Sequence, residues 1–175
     1  MGAITYITEN YEGEAVDHQL CVEDHLWREK MIENGVKMLE FPQKGDERGH
    51  LVIVEGNRDV PFDIKRIFYI YGSDSDVVRG QHANLKSRFV LINVAGKSKV
   101  KVKDGLGNEA VFSLNRPHTG VYLPKMIWKD MYDFSEDSVL LVLASEHYDP
   151  DEYIRNYDEF VNLVSTADGK YGEKR

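Results

Sequence analysis

From Val36 to Ser145 the chain is a succession of short apolar runs, each closed by Gly, Asp, Asn or Pro. They fall at 36–41, 51–54, 63–71, 77–84, 89–94, 97–103, 110–114, 120–123, 128–134 and 139–145. Segments this short bury enough apolar surface only by pairing laterally, so the pattern predicts an all-β sandwich or barrel. The run Lys97-Ser98-Lys99-Val100-Lys101-Val102-Lys103 alternates strictly, valines to one face and lysines to the other, and Asp104-Gly105 turns it into a hairpin toward Ala110–Leu114. Val139-Leu140-Leu141-Val142-Leu143 does not alternate, as expected of a strand covered on both faces.

The barrel is flanked by two segments of different texture. Residues 1–34 form an N-terminal extension with a possible helix from Asp17, carrying Leu20, Val22, Leu26, Trp27 and Met31 toward one side and stopping at Asn34-Gly35. After Asp149-Pro150, the segment Glu152–Val164 places Tyr153, Ile154, Tyr157, Phe160, Val161 and Val164 near helical spacing, which predicts a closing C-terminal helix. The domain reading is an extension over 1–34, a barrel over 35–165 and a frayed tail over 166–175.

Composition narrows the function. Lys+Arg 22 against Asp+Glu 30 gives a net charge of −8, which repels nucleic acid unless a basic stripe overcomes it. No apolar run approaches the roughly 18 residues needed to span a bilayer, and the N-terminus does not read as a secretion signal. Cys21 is the only cysteine, leaving neither an internal disulfide nor a thiolate cluster. The expectation is a cytoplasmic protein, with no membrane or nucleic-acid partner, that handles something small.

In Arg79-Gly80-Gln81-His82-Ala83-Asn84, a strand would turn His82 and Asn84 to one face. With the following strand Phe89–Ile92 and Gly96, this resembles the first half of a cupin barrel motif. Metal-binding cupins pair two His there with a nearby Glu. Asn84 holds the second position here and Leu85-Lys86-Ser87-Arg88 supplies no carboxylate, so no metal is expected. His82 is then either a general acid–base with a near-neutral pKa or a rim histidine bonded to backbone. Lys129 shares the parity of Ile127 and Met131, but Trp128, Tyr132 and Phe134 occupy the other parity, so it is either a buried ammonium or a solvated one. Arg48 either holds a phosphate or sugar oxygen or decorates a loop. Tyr148, Tyr153 and Tyr157 read as packing residues.

Longer strings carry a more specific resemblance. They are Pro61-Phe62-Asp63-Ile64-Lys65-Arg66-Ile67-Phe68-Tyr69-Ile70, Arg79-Gly80-Gln81-His82, Gly120-Val121-Tyr122-Leu123-Pro124 with Trp128, and the stretches Val139–Asp149 and Asp151–Tyr157. Together, over about Val36 to Phe160, they resemble the WxcM-like cupin-type sugar 3,4-ketoisomerases that act on dTDP-4-keto-6-deoxyglucose in bacterial polysaccharide and glycoside biosynthesis. The resemblance implies a double-stranded β-helix (jelly-roll) barrel, a homodimer and a metal-independent tautomerisation without cofactor. A base takes the C3 proton of a 4-keto sugar, an enediol forms, and a proton returns at C4.

By the same resemblance His82 is the base and Arg79 lies near the diphosphate. Arg48 and Lys129 occupy positions that vary between members giving the galacto and gluco products. Arg48 is of the galacto type, whereas Lys129 matches neither the His nor the Arg of the two types. Asn84 replaces a second motif histidine, Arg88 a usual Gln, and Phe68 a Tyr whose hydroxyl would lie near the sugar. These departures keep two alternatives open, an epimerase or isomerase of another nucleotide keto-sugar and a non-catalytic nucleotide-sugar-binding module.

Overall fold

The computed structural model describes residues 35–172, the side chains of 167–172 excepted. The expected N-terminal helix and Cys21 lie outside the described residues. The described residues form twelve strands: β1 Lys37–Glu40, β2 Gln43–Asp46, β3 Gly49–Val52, β4 Arg66–Tyr71, β5 Arg79–Asn84, β6 Phe89–Ala95, β7 Ser98–Lys103, β8 Glu109–Leu114, β9 Thr119–Leu123, β10 Trp128–Tyr132, β11 Val139–Ala144 and β12 Tyr153–Ile154. Two antiparallel five-stranded sheets, in the orders β1-β9-β6-β11-β4 and β12-β5-β10-β7-β8, face each other, and β2-β3 is a separate hairpin. Successive strands such as β4 and β5, or β9 and β10, alternate between the sheets. The result is the double-stranded β-helix barrel.

The alternation in sequence translates directly into layers. Val100 and Val102 of β7 are fully buried between the sheets with Leu91, Leu114, Val121, Leu140 and Val142, whereas Lys99 and Lys101 on the other face reach Asp133 and Glu109 at 2.9 Å each. β11 is covered twice, as its unbroken apolar run requires. Leu140, Val142 and Ala144 face the barrel interior, while Leu141 and Leu143 pack under Phe41, Val60 and Phe62 of the chain that wraps the first sheet. Burying a side chain of this size contributes about 1.5–3 kcal/mol.

The closing helix, α1, starts later than the sequence pattern suggests. It spans Tyr157–Gly172, continuing into the stretch expected to fray. Asn156 Oδ1 accepts the Glu159 amide at 3.0 Å and so caps its first turn. Upstream, Pro150–Glu152 form a single 3-10 turn, and Tyr153 and Ile154 pair with Asn84 and Ala83 of β5. Residues at 153 and 154 fit a helical stripe, but a strand sends them to opposite faces. Ile154 joins Ala83, Trp128 and Phe160 beneath α1, and Tyr153 faces His82.

Candidate active site

The barrel interior turns from apolar to polar along β4 and β10. On β10, Met131 belongs to the packed core and the next inward residue is Lys129, only 5% exposed. On β4, Ile70 packs against the core and is followed inward by Phe68 and Arg66, whose strand partners Val142 and Ala144 face the interior. The parity ambiguity at Lys129 is thus resolved, and its ammonium is buried.

His82 is aimed by a bulge. Gly80 and Gln81 both adopt left-handed backbone, φ 89° and 53°, and the β5–β10 register slips opposite them, between Lys129 and Asp130. A Cβ on Gly80 would meet the Lys129 carbonyl oxygen at 2.6 Å, so only glycine fits that close approach. Beyond the bulge, His82 pairs with Lys129, and its Nδ1 lies 2.7 Å from the Gly80 carbonyl. A carbonyl only accepts, so the neutral ring carries its proton on Nδ1 and Nε2 is the basic nitrogen. Burial, followed by the nearby Lys129 charge, lowers the His82 pKa to about 4.

Lys129 Nζ donates to Asn84 Oδ1 at 2.6 Å and lies 4.7 Å from the centre of the Phe89 ring. Burial pulls its pKa down to about 7 against a smaller opposing pull from the Glu152 carboxylate, and the Arg66 charge lowers it further. Glu152, 1% exposed, accepts the Ser87 amide at 2.9 Å, the Lys86 amide at 3.3 Å and the Ser87 hydroxyl. It holds the β5–β6 turn against the 3-10 turn while its charge partly offsets the lowering of the His82 and Lys129 pKa values. Glu152→Ala strands those donors in a buried setting and is expected to cost about 2–4 kcal/mol of stability in a urea titration. A loss below about 0.5 kcal/mol would show the turn to be held by other contacts.

Contacts close a ring of side chains. His82 lies 4.9 Å from Tyr153 between ring centres, Tyr153 6.0 Å from Tyr148, and Arg66 stacks on Tyr148 at 5.6 Å and on Phe68 at 5.3 Å. Phe68 meets Phe89 edge-on at 6.4 Å, and Phe89 leads back to Lys129 and Asn84. This wall has aromatic faces suited to a sugar or base, the cations Arg66 and Lys129, and one imidazole, with Arg155 over the Tyr153 ring at 4.8 Å. Among the described residues, no three of His, Cys, Asp and Glu gather as a metal site requires.

The structure therefore brings together His82, Asn84, Lys129 and Phe68. It does not bring in the other three sequence candidates. Arg48 is exposed on the β2–β3 hairpin and bonded to Asp46. Arg79 donates from Nε to Ser73 Oγ at 2.8 Å in the β4–β5 loop. Arg88 turns to the outside of the first sheet, over Phe62 and onto the Pro61 carbonyl, because Phe89 takes the inward position. Arg66, Glu152 and Tyr153 fall within the strings that carry the resemblance, but the sequence assigns Arg66 and Glu152 no role and Tyr153 only packing. The alternation of Arg66 with Phe68 and Ile70 is the signal that places Arg66 inward.

The titrating pair predicts how stability depends on pH. Between about pH 6.5 and about 4, His82 takes up a proton in the unfolded chain but not in the folded one, so folding stability falls as pH drops through that window. Thermal melts from pH 7 to 4 should therefore decline less steeply for His82→Asn than for the wild type. Parallel declines would mean that His82 titrates normally in the fold.

A double-stranded β-helix barrel with an imidazole beside a buried cation at one end of its core is the architecture of a cupin. Residues 34–165 match the FdtA family model, described as WxcM-like, C-terminal. The TDP-4-oxo-6-deoxy-α-D-glucose-3,4-oxoisomerase of Aneurinibacillus thermoaerophilus is 39% identical over 129 residues, covering 74% of this chain and 92% of that protein. A mutant of the 3,4-ketoisomerase QdtA of Thermoanaerobacterium thermosaccharolyticum, solved with TDP-4-keto-6-deoxyglucose, superposes with TM-score 0.73 at 42% identity over 75% of this chain and 94% of that one. The TDP-quinovose 3,4-ketoisomerase WlaRB of Campylobacter jejuni gives TM-score 0.70 at 43% identity, over 73% and 97% of the two chains. The chain belongs to this family of sugar 3,4-ketoisomerases.

Proposed function

We propose that the chain converts a TDP-linked 4-keto-6-deoxy sugar, TDP-4-keto-6-deoxyglucose, into its 3-keto isomer. The observation that carries this reading is the His82–Lys129 pair, an imidazole fixed in its neutral form beside a buried ammonium on the neighbouring strand. The C3–H of a 4-keto sugar is acidified by the adjacent carbonyl. His82 Nε2 takes that proton, and Lys129 stabilises the oxygen that becomes negative as the C3–C4 enediolate forms. The proton of the C3 hydroxyl passes to the negative O4, making it a hydroxyl, while the imidazolium returns a proton to C4 on the same face; the C3 oxygen becomes the carbonyl, and no electrons leave the sugar. Asn84 orients Lys129, and Phe68 forms part of the wall.

The Asn84–Lys129 bond supports a second reading within the same chemistry, a different nucleotide keto-sugar, because a neutral amide and an ammonium replace the groups that the sequence resemblance leads one to expect. NMR of the product after incubation with TDP-4-keto-6-deoxyglucose tests the first reading. A 3-keto sugar supports it, and unchanged substrate with measurable binding transfers the site to another sugar. We also propose a homodimer. Ile67, Tyr69 and Tyr71 form an exposed apolar row along β4, the edge strand of the first sheet, which supports pairing of two copies. Sedimentation at monomer mass would contradict it.

A further inference from the structure

The reaction as drawn uses His82 and Lys129 and leaves Arg66 unassigned. Its guanidinium lies between the rings of Phe68 and Tyr148, and both Nε and Nη2 are shut off from solvent without a hydrogen-bond partner among the described residues. These two N–H groups form the side of the guanidinium that points two parallel donors in one direction, the geometry that grips two oxygens at once. On the surface of the same chain, Arg48 uses this same pair on the Asp46 carboxylate. An empty buried fork is expensive, and nothing among the described residues fills it. Glu152, the carboxylate whose charge acts on His82 and Lys129, already accepts from Ser87 and Lys86. Three cations, Arg66, Lys129 and Arg155, act on the wall against the single carboxylate of Glu152, so positive charge is in excess there.

We propose that Arg66 is a substrate-gripping residue whose Nε and Nη2 hold a pair of neighbouring acceptor oxygens that carry negative charge between them on the nucleotide sugar. This rests on the function proposed above. Two parts of that substrate offer such a pair, the non-bridging oxygens of the diphosphate and the vicinal O3 and O4 of the enediolate. Tyr148, 65% exposed and lying over the guanidinium, is the cover that must swing aside to admit them.

The test compares wild type, Arg66→Met and Arg66→Lys in TDP affinity by calorimetry, in deuterium exchange at C3 under saturating TDP-4-keto-6-deoxyglucose, and in melting temperature. Methionine keeps bulk between the rings, and lysine keeps the charge but lacks the fork. If the fork holds the diphosphate, both variants lose about 10- to 100-fold in TDP affinity with exchange at saturation retained. If it holds the enediolate, affinity is retained and exchange falls by about 10²- to 10³-fold. Should Arg66→Met melt early, Arg66→Lys decides alone. Arg66→Lys within twofold of wild type in both quantities overturns the proposal. A wild type that binds TDP but exchanges nothing overturns the ketoisomerase reading instead, and TDP affinity still judges Arg66.

Discussion

Replacing His82 with Asn is expected to abolish isomerisation and C3 exchange, by about 10³-fold or more, while TDP binding and the fold persist. General acid–base catalysis contributes about 10²–10⁴ in rate, and His82 is the only imidazole of the wall described above. Asparagine can still donate an amide hydrogen toward the Gly80 carbonyl, which His82 Nδ1 now contacts at 2.7 Å, so the bulge is kept and only the basic nitrogen is lost. The same residue sets one limb of the pH profile. Because kcat/KM reports the free enzyme, it should rise with pH through about 4 as His82 becomes neutral. It should fall again above about 7 as Lys129 loses its proton. A variant retaining a tenth of wild-type exchange would remove His82 from the chemistry.

Lys129→Met should separate stability from activity. An ammonium that is only 5% exposed and bonded to a neutral amide is held at the expense of folding. Methionine fills similar volume, so the variant is expected to be more stable by about 1–4 kcal/mol at pH 6, less the lost Asn84 bond. The sign follows from linkage. From about pH 7 up to 10.5 the unfolded lysine binds a proton that the folded one does not, so wild-type stability rises with pH there. The advantage of the variant shrinks accordingly toward pH 10. Turnover should fall about 10²- to 10³-fold through loss of the donor to the enediolate oxygen. The alkaline limb of the profile should vanish, and the acid limb should move up because the charge that depresses His82 has gone. A variant that is less stable and fully active would make Lys129 structural.

The barrel was legible wherever one face of a strand differs from the other, as in Lys97–Lys103, or where both faces are covered, as in Val139–Leu143. Legibility failed where two periods fit the same residues. Tyr153 and Ile154 satisfy a helical stripe, yet the strand pairing with β5 and the cap at Asn156 start α1 at Tyr157. It failed as well in β2, whose Gln-Lys-Gly-Asp is wholly exposed and carries no apolar signal. Lys129 was undecidable from parity because β10 is buried on both sides, Met131 in the barrel and Trp128 under α1. His82 was marked by a motif, and the glycine before it proves to be the bulge that aims it. Arg66 and Glu152 lie in strings that carry the resemblance but were given no role, because the importance of each comes from chain segments far away in sequence. For Arg66 that segment is the loop bearing Tyr148, and for Glu152 it is the Lys86-Ser87 turn. Arg88 illustrates the converse. A position singled out by resemblance lies across the sheet from the site because its neighbour Phe89 takes the interior.

The most direct test of the central claim is incubation of the wild type with TDP-4-keto-6-deoxyglucose in D2O, followed by NMR. The account predicts a 3-keto product carrying deuterium at C4 and recovered substrate carrying deuterium at C3. Bound substrate recovered with its C3 proton intact and no new keto sugar would contradict it.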